Sequence, residues 1–394
     1  MMKILLDNCV FPPEPVVSAQ IGNDLALFLS KDNDVTVITP FPSRPYGFSL
    51  GGQIEEDEKA YHLVRLKSFI YPKSGIFGRL RESISFGLAC YKFIIGSNSF
   101  EKVYMNTWPI FAQLFTALAC KKREIPYVIH IQDIYPESLT NKLPNFLKFV
   151  SDSFLLSIDK YVLKNASTVI AISENMRQYL SETRKIPKSH IEVVTNWQDE
   201  KDFINFQQVR PSENEKLTFM YLGNIGPVAG ITFLIESFAK SKCEAKLIIA
   251  GSGSEKDKCI NIAENFPFSD ISFIDVPHGK VAVNQSNAHI LILPTRKNTG
   301  NNSIPSKLPA YMLSSRAILA LSDRNSDIAQ AIKNADCGWV GDSEDEEWLI
   351  SFFKNTNEIS QKELKQKGQS ALLYAREHFS KEKNLEKLRN IILR

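Results

Sequence analysis

Residues 217–240 read LTFMYLGNIGPVAGITFLIESFAK, and this stretch decides the fold of the second half of the chain. Residues 217–222 form a short apolar run with aromatic and β-branched side chains, which predicts a buried strand. Residues 223–226 (GNIG) predict a tight turn, and residues 231–240 have apolar side chains at helical spacing. A buried strand followed by a helix is typical of a parallel sheet with helices on its faces.

The same alternation runs through the rest of the chain, with segments of helical spacing such as residues 17–30 between most strands. We therefore predict an α/β fold. At 394 residues the chain is too long for one ordinary domain, and two doubly wound, Rossmann-like domains are the simplest account. The other predicted strands are residues 3–6, 35–39, 102–105, 127–131, 168–172, 191–194, 246–250, 271–274, 290–293 and 317–321.

The periodic pattern breaks in the polar stretch 199–216 and then restarts. We therefore predict an N-terminal domain of residues 1–204 and a C-terminal domain of residues 205–379. The final segment, residues 380–394, has apolar side chains at helical spacing, which predicts a helix that packs on a core. We assign this helix to the first domain as a returning element.

Composition excludes several classes of protein. Lys and Arg total 47 against 44 Asp and Glu, a net charge of +3, which disfavours a nucleic-acid binder. The six cysteines are scattered without a CxxC pair, which is typical of a reduced cytoplasmic chain. The N-terminal residues lack the apolar core and cleavage site of a signal peptide. The most apolar stretch, residues 108–120, is too short to cross a bilayer and is better explained as a buried helix.

A polar loop and a helix start follow the predicted strand 290–293, within residues 293–312 (LPTRKNTGNNSIPSKLPAYM). Arg296 supplies a cation in the loop, and Ser306 and Lys307 open the helix. The first amides of a helix lack partners within it and carry a partial positive charge that favours anions. Because ligands of open α/β sheets bind at the carboxyl ends of the strands, this stretch predicts a phosphate site.

Two glycine turns follow neighbouring predicted strands. Gly223 and Asn224 lie where a ligand can approach the backbone closely, although a structural turn explains the same residues equally well. Gly251, in the sequence GSG, is better interpreted as part of a structural turn that helps to shape the same site. Neither turn matches GxGxxG, and no acidic residue follows at a ribose-binding position, so we disfavour a dinucleotide enzyme.

Residues 130–137 (HIQDIYPE) begin at the end of an apolar strand, where α/β enzymes place their chemistry. Asp133 and Glu137 could supply a base or a charge that faces a substrate, and His130 could orient one of them. The alternative is a buried structural histidine and an aspartate that forms a turn. Two carboxylates, a histidine and a glutamine exceed what a turn needs, so we predict that this segment is catalytic.

Residues 71–93 mix basic and apolar side chains at helical spacing. Such a helix can lie on an anionic membrane or acceptor surface through Arg79 and Arg81, although an amphipathic helix packed on its own sheet is the better explanation by frequency. Residues 32–34 (DND) formally match a metal-chelating DxD pattern. They precede a strand and are better explained as a solvated turn, so we predict no metal and no other cofactor.

These motifs together resemble glycosyltransferase family 4, whose members have the GT-B fold of two Rossmann-like domains, a cleft between them and a C-terminal crossover helix. The resemblance extends over essentially the whole chain. Its subgroup is found in bacterial O-antigen, capsule and exopolysaccharide gene clusters and includes the fucosaminyl-type transferases. The segments that carry the resemblance are residues 11–15 (FPPEP), 23–26 (NDLA), 34–39 (DVTVIT), 132–133 (QD), 136–138 (PES), 223–224 (GN) and 305–308 (PSKL).

The resemblance implies a retaining glycosyltransferase of the hexosyltransferase class. Its donor would be a nucleotide diphosphate sugar linked to UDP, with an N-acetylated deoxyhexosamine such as N-acetylfucosamine as the sugar. The acceptor would be a lipid-diphosphate-linked saccharide, and the enzyme would work in the cytoplasm, with peripheral contact to the inner membrane. The implied donor-binding residues are Gly223, Asn224, Gly251, Arg296, Ser303, Ser306, Lys307 and Leu308.

The chain departs from the family in three places. Two glutamates separated by seven residues in the family's donor loop fall at Asn302 and Ala310 here. The family's Arg and Lys after the second-domain glycine fall at Asn224 and Ala229, and its common active-site histidine falls at Gln132. The resemblance therefore cannot transfer those roles to this chain.

A donor diphosphate consequently needs other cations, and Arg296 and Lys307 are the candidates. The same departures keep two alternatives open: a sugar-nucleotide epimerase of GT-B architecture, and a non-catalytic partner that binds a nucleotide sugar. An epimerase would turn over donor without any acceptor. The carboxylates of Asp133 and Glu137 favour an enzyme over the non-catalytic partner.

Overall fold

The chain forms two compact units in this computed structural model. Residues Met1–Thr195 and Leu385–Arg394 form the first unit, and Asn196–Asn384 form the second. The predicted boundary after residue 204 lies inside the second unit. For residues 55–57, 76 and 145–152 the backbone alone is described. The described residues are 1–14, 16–43, 55–57, 60–71, 75–97, 99–106, 109–137, 145–209, 211–212, 215–277, 279–295 and 304–394.

The first unit is built on a sheet of eight strands. These strands are β1 Lys3–Asn8, β2 Asp34–Pro40, β3 Glu55–Asp57, β4 His62–Leu66, β5 Lys102–Asn106, β6 Tyr127–Ile131, β7 Thr168–Ala171 and β8 Ile191–Val193. Their order in the sheet is β3-β4-β2-β1-β5-β6-β7-β8. The pairs are parallel except for β3 with β4, so helices must connect most strands across the faces of the sheet.

The helices of the first unit cover this sheet and close its core. They are α1 Val17–Leu29, α2 Ile76–Gly96, α3 Ile110–Arg123, α4 Asn145–Asn165 and α5 Glu174–Arg184. Apolar residues of β5 and β6 such as Val103 and Ile129 are fully buried in a core that also contains Phe86 and Cys90 of α2. Strands with two covered faces must be apolar along their whole length, which is why they appear in the sequence as short continuous apolar runs.

The second unit contains a sheet of six strands. They are β9 Thr218–Leu222, β10 Lys246–Ala250, β11 Ile271–Ile274, β12 Ile290–Pro294, β13 Ala317–Leu321 and β14 Gly338–Gly341. All pairs are parallel, in the order β11-β10-β9-β12-β13-β14. This order reverses between β9 and β12, and ligands of such sheets bind beyond the carboxyl ends of the strands at that switch point.

The helices of the second unit are shorter except near the C-terminus. Residues Leu385–Arg394 of the last helix belong to the first unit, whereas residues 381–384 at its start belong to the second. Among the described residues, none of the helices combines the length and apolar character needed to cross a membrane. The helices are α6 Ile231–Ser241, α7 Lys256–Glu264, α8 Val281–Gln285, α9 Lys307–Leu313, α10 Asp327–Ala335, α11 Glu346–Lys354, α12 Gln361–His378 and α13 Lys381–Leu393.

The predicted α/β class with two Rossmann-like units is confirmed, and the predicted strands are present with ends shifted by a residue or two. Three strands, β3, β4 and β14, were not predicted from the sequence. In β14 the reason is packing: a Cβ atom on Gly338 would lie 1.8 Å from the carbonyl oxygen of Ile318 on the neighbouring strand. Close approach between these strands requires glycine, and glycine weakens the sequence signal for a strand.

Candidate functional site

The candidate site lies at the carboxyl ends of β9 and β12, where the strand order of the second sheet reverses. A recess of about 230 Å³ opens there. It is formed by the turn after β9, the end of β12 and the segment that leads into α9. Its lining includes Asn224, Gly226, Pro227, Leu293, Thr295, Pro305 and Lys307. The stretches that the sequence assigned to a phosphate site therefore meet at one edge of one sheet.

Lys307 provides the cation of this recess. Its Nζ donates to the hydroxyl of Tyr221 at 2.6 Å and lies 4.5 Å from the centre of the Tyr221 ring, a cation–π contact. Its aliphatic stem rests on Gly223, where a Cβ atom would lie 2.3 Å from Cε. Burial lowers the pKa of Lys307 from 10.5 to about 8. An anion bound beside the ammonium would favour the charged form and reverse this shift.

The backbone around Lys307 is held by glycine packing. Gly251 has a φ of +129°, and a Cβ atom there would lie 2.2 Å from the carbonyl oxygen of Gly223. The amide of Gly223 donates to the carbonyl of Ala250 at 2.9 Å. The turns after β9 and β10 therefore touch backbone to backbone. Gly251 contributes by allowing this contact, as the structural interpretation of its turn predicts, and it places Gly223 beneath Lys307.

Two tyrosines that the sequence did not single out fix the end of β9. The Tyr311 hydroxyl accepts from the amide of Leu222 at 2.9 Å and donates to the Leu222 carbonyl at 3.0 Å. The Tyr221 hydroxyl donates to the carbonyl of Asn224 at 2.6 Å. A tyrosine in a buried strand or helix needs a partner for its hydroxyl, and that requirement is the only signal for them in the sequence.

The remaining predicted donor residues divide into three groups. Arg296 and Ser303 lie outside the described residues. Ser306 is half-buried at the start of α9. The amide of Leu308 donates to the carbonyl of Pro305 at 3.0 Å and its side chain is fully buried. The amide of Leu308 thus serves the first turn of α9, and the donor-binding role assigned to this residue stays a prediction.

The predicted catalytic segment after β6 presents one carboxylate to solvent. Asp133 is exposed, and its Oδ1 accepts from the amide of Ile134 at 3.0 Å. His130 is only 1% exposed, and its Nδ1 lies 2.7 Å from the hydroxyl of Tyr104. Burial lowers the pKa of His130 to about 4, so the ring is neutral at pH 7. The amide nitrogen of Gln132 lies 3.3 Å from Nε2 of the same ring.

Glu137 has a different environment. Its two oxygens accept from Nη1 and Nη2 of Arg184 at 2.6 and 2.8 Å, and Oε1 also accepts from the Tyr179 hydroxyl at 2.8 Å. The fully buried Arg184 reaches Asp159 through Nε at 2.7 Å. Burial by itself raises the pKa of Glu137, but its bonds to Arg184 outweigh that effect and hold the pKa below its usual value. Glu137 thus ties the segment after β6 to α4 and α5.

Arg79 and Arg81 lie in the first turns of α2. The buried side chains of this helix, Phe86, Cys90 and Ile94, belong to the core of the first unit. Near its start, however, Phe77 is 88% exposed, and the Arg81 guanidinium lies 4.2 Å from the ring centre of Phe69. The helix therefore packs on its own unit, as the simpler interpretation predicts, and also presents an apolar and basic end.

Two Rossmann-like units, with a cation at the switch point of the second, define an α/β protein suited to a phosphorylated ligand. Residues 23–201 match the family described as Glycosyltransferase Family 4, and residues 202–351 match Glycosyl transferases group 1. The chain belongs to glycosyltransferase family 4 and has the GT-B fold. The resemblance inferred from the sequence is confirmed.

Individual relatives are distant. A probable glycosyltransferase of Pseudomonas aeruginosa, WbjE, is 20% identical over 225 residues, which cover 54% of this chain and 55% of WbjE. The chain thus spans about half the length of this curated relative. HepE of Anabaena, solved with UDP, has a TM-score of 0.70 at 13% identity, with 99% of each chain covered. The lipopolysaccharide outer core galactosyltransferase WaaB has a TM-score of 0.67 at 17% identity, with 100% and 99% covered. At these identities the structural likeness shows the fold alone.

Proposed function

We propose that the protein transfers a sugar from a UDP-linked donor to a lipid-linked saccharide in the synthesis of a bacterial surface polysaccharide, with retention of configuration. The observation that carries this proposal is the cation of Lys307 at the switch point of the second sheet. A solved complex of HepE with UDP and the description of WaaB as a lipopolysaccharide enzyme support the donor and the acceptor. The sequence resemblance supports N-acetylfucosamine as the sugar.

The chemistry of sugar transfer fits this arrangement. The leaving diphosphate gains negative charge while the sugar becomes oxocarbenium-like, so a fixed cation at the diphosphate stabilises the transition state. Lys307 is held by Tyr221 and Gly223, and it needs little reorganisation when the charge develops. Its partial burial strengthens the interaction relative to water. Asn224 lines the same recess and Ser306 directly precedes Lys307, so both would contact the same phosphates, and Arg296 would supply a second cation.

On the first unit we assign the substrate contact to Asp133, which would hold the transferring sugar or the acceptor hydroxyl. The neutral His130 and Gln132 would position this segment, and Glu137 would anchor it through Arg184. None of these groups acts as a strong base in the proposal. A donor phosphate oxygen would instead take the proton of the acceptor hydroxyl on the same face as the departing diphosphate, which accounts for retention.

The activity test is the substitution Lys307→Ala. A thermal-shift screen of UDP-, GDP- and dTDP-sugars first identifies the donor. We then expect kcat/KM for transfer to fall by on the order of a hundredfold, as for loss of one charge-stabilising group. The matched control is Lys216→Ala: this lysine is 62% exposed and precedes β9, at the opposite edge of the same sheet.

Near wild-type kcat/KM in Lys307→Ala with the true donor would contradict the proposed role of the site. Turnover of donor in assays without acceptor would instead favour an epimerase. Donor binding without turnover across lipid-linked acceptors would favour a non-catalytic partner.

We also propose that the start of α2 makes the peripheral membrane contact. Phe77 is the exposed apolar residue, and Arg79 and Arg81 are the basic residues that an anionic lipid surface would attract. This contact would bring the enzyme to a lipid-linked acceptor at the cytoplasmic face of the inner membrane.

A further inference from the structure

A second recess, of about 300 Å³, lies at the amino-terminal edge of the six-stranded sheet. His289 and Arg316 in its wall directly precede β12 and β13, and Lys362 and Lys365 come from the start of α12. All strands of this sheet are parallel, so the recess and the Lys307 site occupy opposite edges. Its volume is at the lower end of the range for small-molecule sites, roughly 300–1,000 Å³, which indicates a small ligand.

His289 is the residue of this recess that indicates which kind of ligand binds, and it is 6% exposed. The amide of Thr218 donates to its Nδ1 at 3.0 Å. Because a backbone amide can only donate, Nδ1 carries no proton, and Nε2 must carry the proton of the neutral ring. Burial, reinforced by the charge of Arg316, lowers the pKa of His289, whereas the carboxylate of Glu215 acts in the opposite direction.

The Nε2–H donor of His289 has no hydrogen-bond partner among the residues that the structure describes. A buried donor left without an acceptor destabilises the folded chain, and such groups in native proteins usually meet a water, an ion or a ligand. The group that completes this site must therefore be an acceptor.

Three cations in the lining of the recess, Arg316, Lys362 and Lys365, outnumber the nearby carboxylate of Glu215 and favour a negatively charged acceptor. Arg316 is almost fully buried and donates to the carbonyls of Ser314 at 2.8 Å and Ser286 at 3.0 Å, which holds its guanidinium in place. Lys362 and Lys365 are exposed at the start of an 18-residue helix. The amino end of that helix adds a partial positive charge, which Glu363 in its first turn partly offsets.

We propose that this recess binds a phosphate group, free or as a phosphate monoester, with a phosphate oxygen accepting from His289 Nε2 and with Lys362 and Lys365 balancing the charge. This site is separate from the donor site, and its existence does not depend on the proposed transferase activity.

The test uses the full chain labelled with ¹⁵N and follows the imidazole signals of His289, assigned by comparison with His289→Gln. Titration with inorganic phosphate should shift these signals saturably, with a dissociation constant on the order of 1 mM. Titration with glucose 1-phosphate distinguishes the two sources: a shift with either ligand supports the site and identifies the form it accepts.

Three variants decide where the phosphate binds. Lys362→Ala combined with Lys365→Ala should weaken phosphate binding about tenfold, because the variant removes two exposed positive charges whose individual contributions are small. The matched control is Lys258→Ala with Lys333→Ala, two exposed lysines of the same unit, which should bind as the wild type does. Lys307→Ala should also keep the His289 shift, because the donor site is elsewhere.

Absence of a His289 shift with both ligands would overturn the proposal. An unchanged dissociation constant in the Lys362 and Lys365 variant, or loss of the shift in Lys307→Ala, would overturn it as well. Both lysines are exposed, so thermal denaturation of the double variant should match the wild type and confirm that it folds.

Discussion

The side chain of Lys307 is positioned by residues that lie far from it in the sequence. Gly223 leaves room for its stem and Tyr221 accepts from its Nζ, and both come from the end of β9. The sequence indicated Lys307 and Gly223 through a helix start and a glycine turn. It gave no indication of Tyr221, because a tyrosine in an apolar strand is indistinguishable from a core residue until its hydroxyl partner is known.

Asp7 is a second residue whose role only the fold reveals. It is fully buried in β1, its Oδ2 accepts from the Thr116 hydroxyl at 2.8 Å, and the Cys90 thiol lies 3.8 Å from Oδ1. Burial raises the pKa of Asp7 from 3.8 to about 7, although its hydrogen bonds act in the opposite direction. The folded chain therefore retains this proton at pH values where the unfolded chain has lost it.

Asp7→Asn should reveal this linkage. The stability that the Asp7 proton contributes is fully present below pH 4 and is lost as the pH rises through 7, a change of roughly 4 kcal/mol for a shift from 3.8 to about 7. Asparagine resembles the protonated acid and does not titrate. We therefore expect the variant to be more stable than the wild type at pH 8, measured by urea denaturation at pH 5 and pH 8.

The informative quantity is the change in the free energy of unfolding between pH 5 and pH 8. If wild type and Asp7→Asn lose the same free energy of unfolding between pH 5 and pH 8, then Asp7 does not titrate in that range.

At the scale of elements, the segment after β6 shows why neighbours in sequence can differ in role. Glu137 is bound by Arg184 and Tyr179 of α5, whereas Asp133 faces solvent four residues earlier. The sequence placed both carboxylates at one strand end and correctly expected several polar groups there. It could not separate the exposed carboxylate from the one bound by Arg184, because the partners of Glu137 lie on another helix.

The amphipathic helix α2 is a second case at this scale. Its spacing of apolar residues predicted a helix, and one is present over Ile76–Gly96. The buried side chains Phe86, Cys90 and Ile94 serve the core, but Phe77 near the start of the helix does not. Apolar side chains occur on both faces of the helix, so only burial separates the face that packs on the core from the exposed apolar surface at Phe77.

Phe77→Ser combined with Arg79→Glu should reduce binding to anionic membranes. Insertion of one exposed phenylalanine contributes about 1.5–3 kcal/mol, and a basic residue near an anionic surface contributes about 1 kcal/mol, so the affinity for the membrane should fall at least tenfold. Flotation with vesicles containing phosphatidylglycerol measures this.

Phe268→Ser is the matched control, because Phe268 is a fully exposed phenylalanine of the second unit. Equal flotation of the wild type and the α2 variant would show that the start of α2 does not contact the membrane.

At the scale of the whole molecule, the order of the strands in the second sheet determines where the candidate site lies. β9 and β12 are neighbours in the sheet although β10 and β11 lie between them in the chain. This neighbour relation brings the turn after β9 to the segment before α9 and creates the recess beside Lys307. A strand and its following helix can be recognised locally, but the order of strands depends on which helix covers which face.

Deletion of Leu385–Arg394 should destabilise the first unit selectively. These residues belong to that unit, and Leu385, Leu388, Ile391 and Ile392 are buried. Each large apolar side chain contributes about 1.5–3 kcal/mol on burial, so the loss should reach several kcal/mol. Lys387 also donates to the Val193 carbonyl at 2.7 Å.

Hydrogen exchange followed by mass spectrometry can measure this loss for each unit. Exchange should accelerate in strands of the first unit, such as β8, and change little in β9 to β13. Equal acceleration in both units would mean that the tail stabilises the molecule as a whole.

The sequence by itself determined the α/β class, the alternation of strands and helices, the apolar tail helix and the positions of Lys307, Gly223 and Asp133. These features follow from local periodicity and turn chemistry, which operate over a few residues. Only the tertiary structure shows that Tyr221 accepts a hydrogen bond from Lys307 and that Arg184 binds Glu137. It also shows that Nε2–H of His289 is a buried donor without a partner among the described residues. These interactions depend on which strands become neighbours in the sheet and on which side chains become buried. The spacing of nearby residues in the sequence predicts neither.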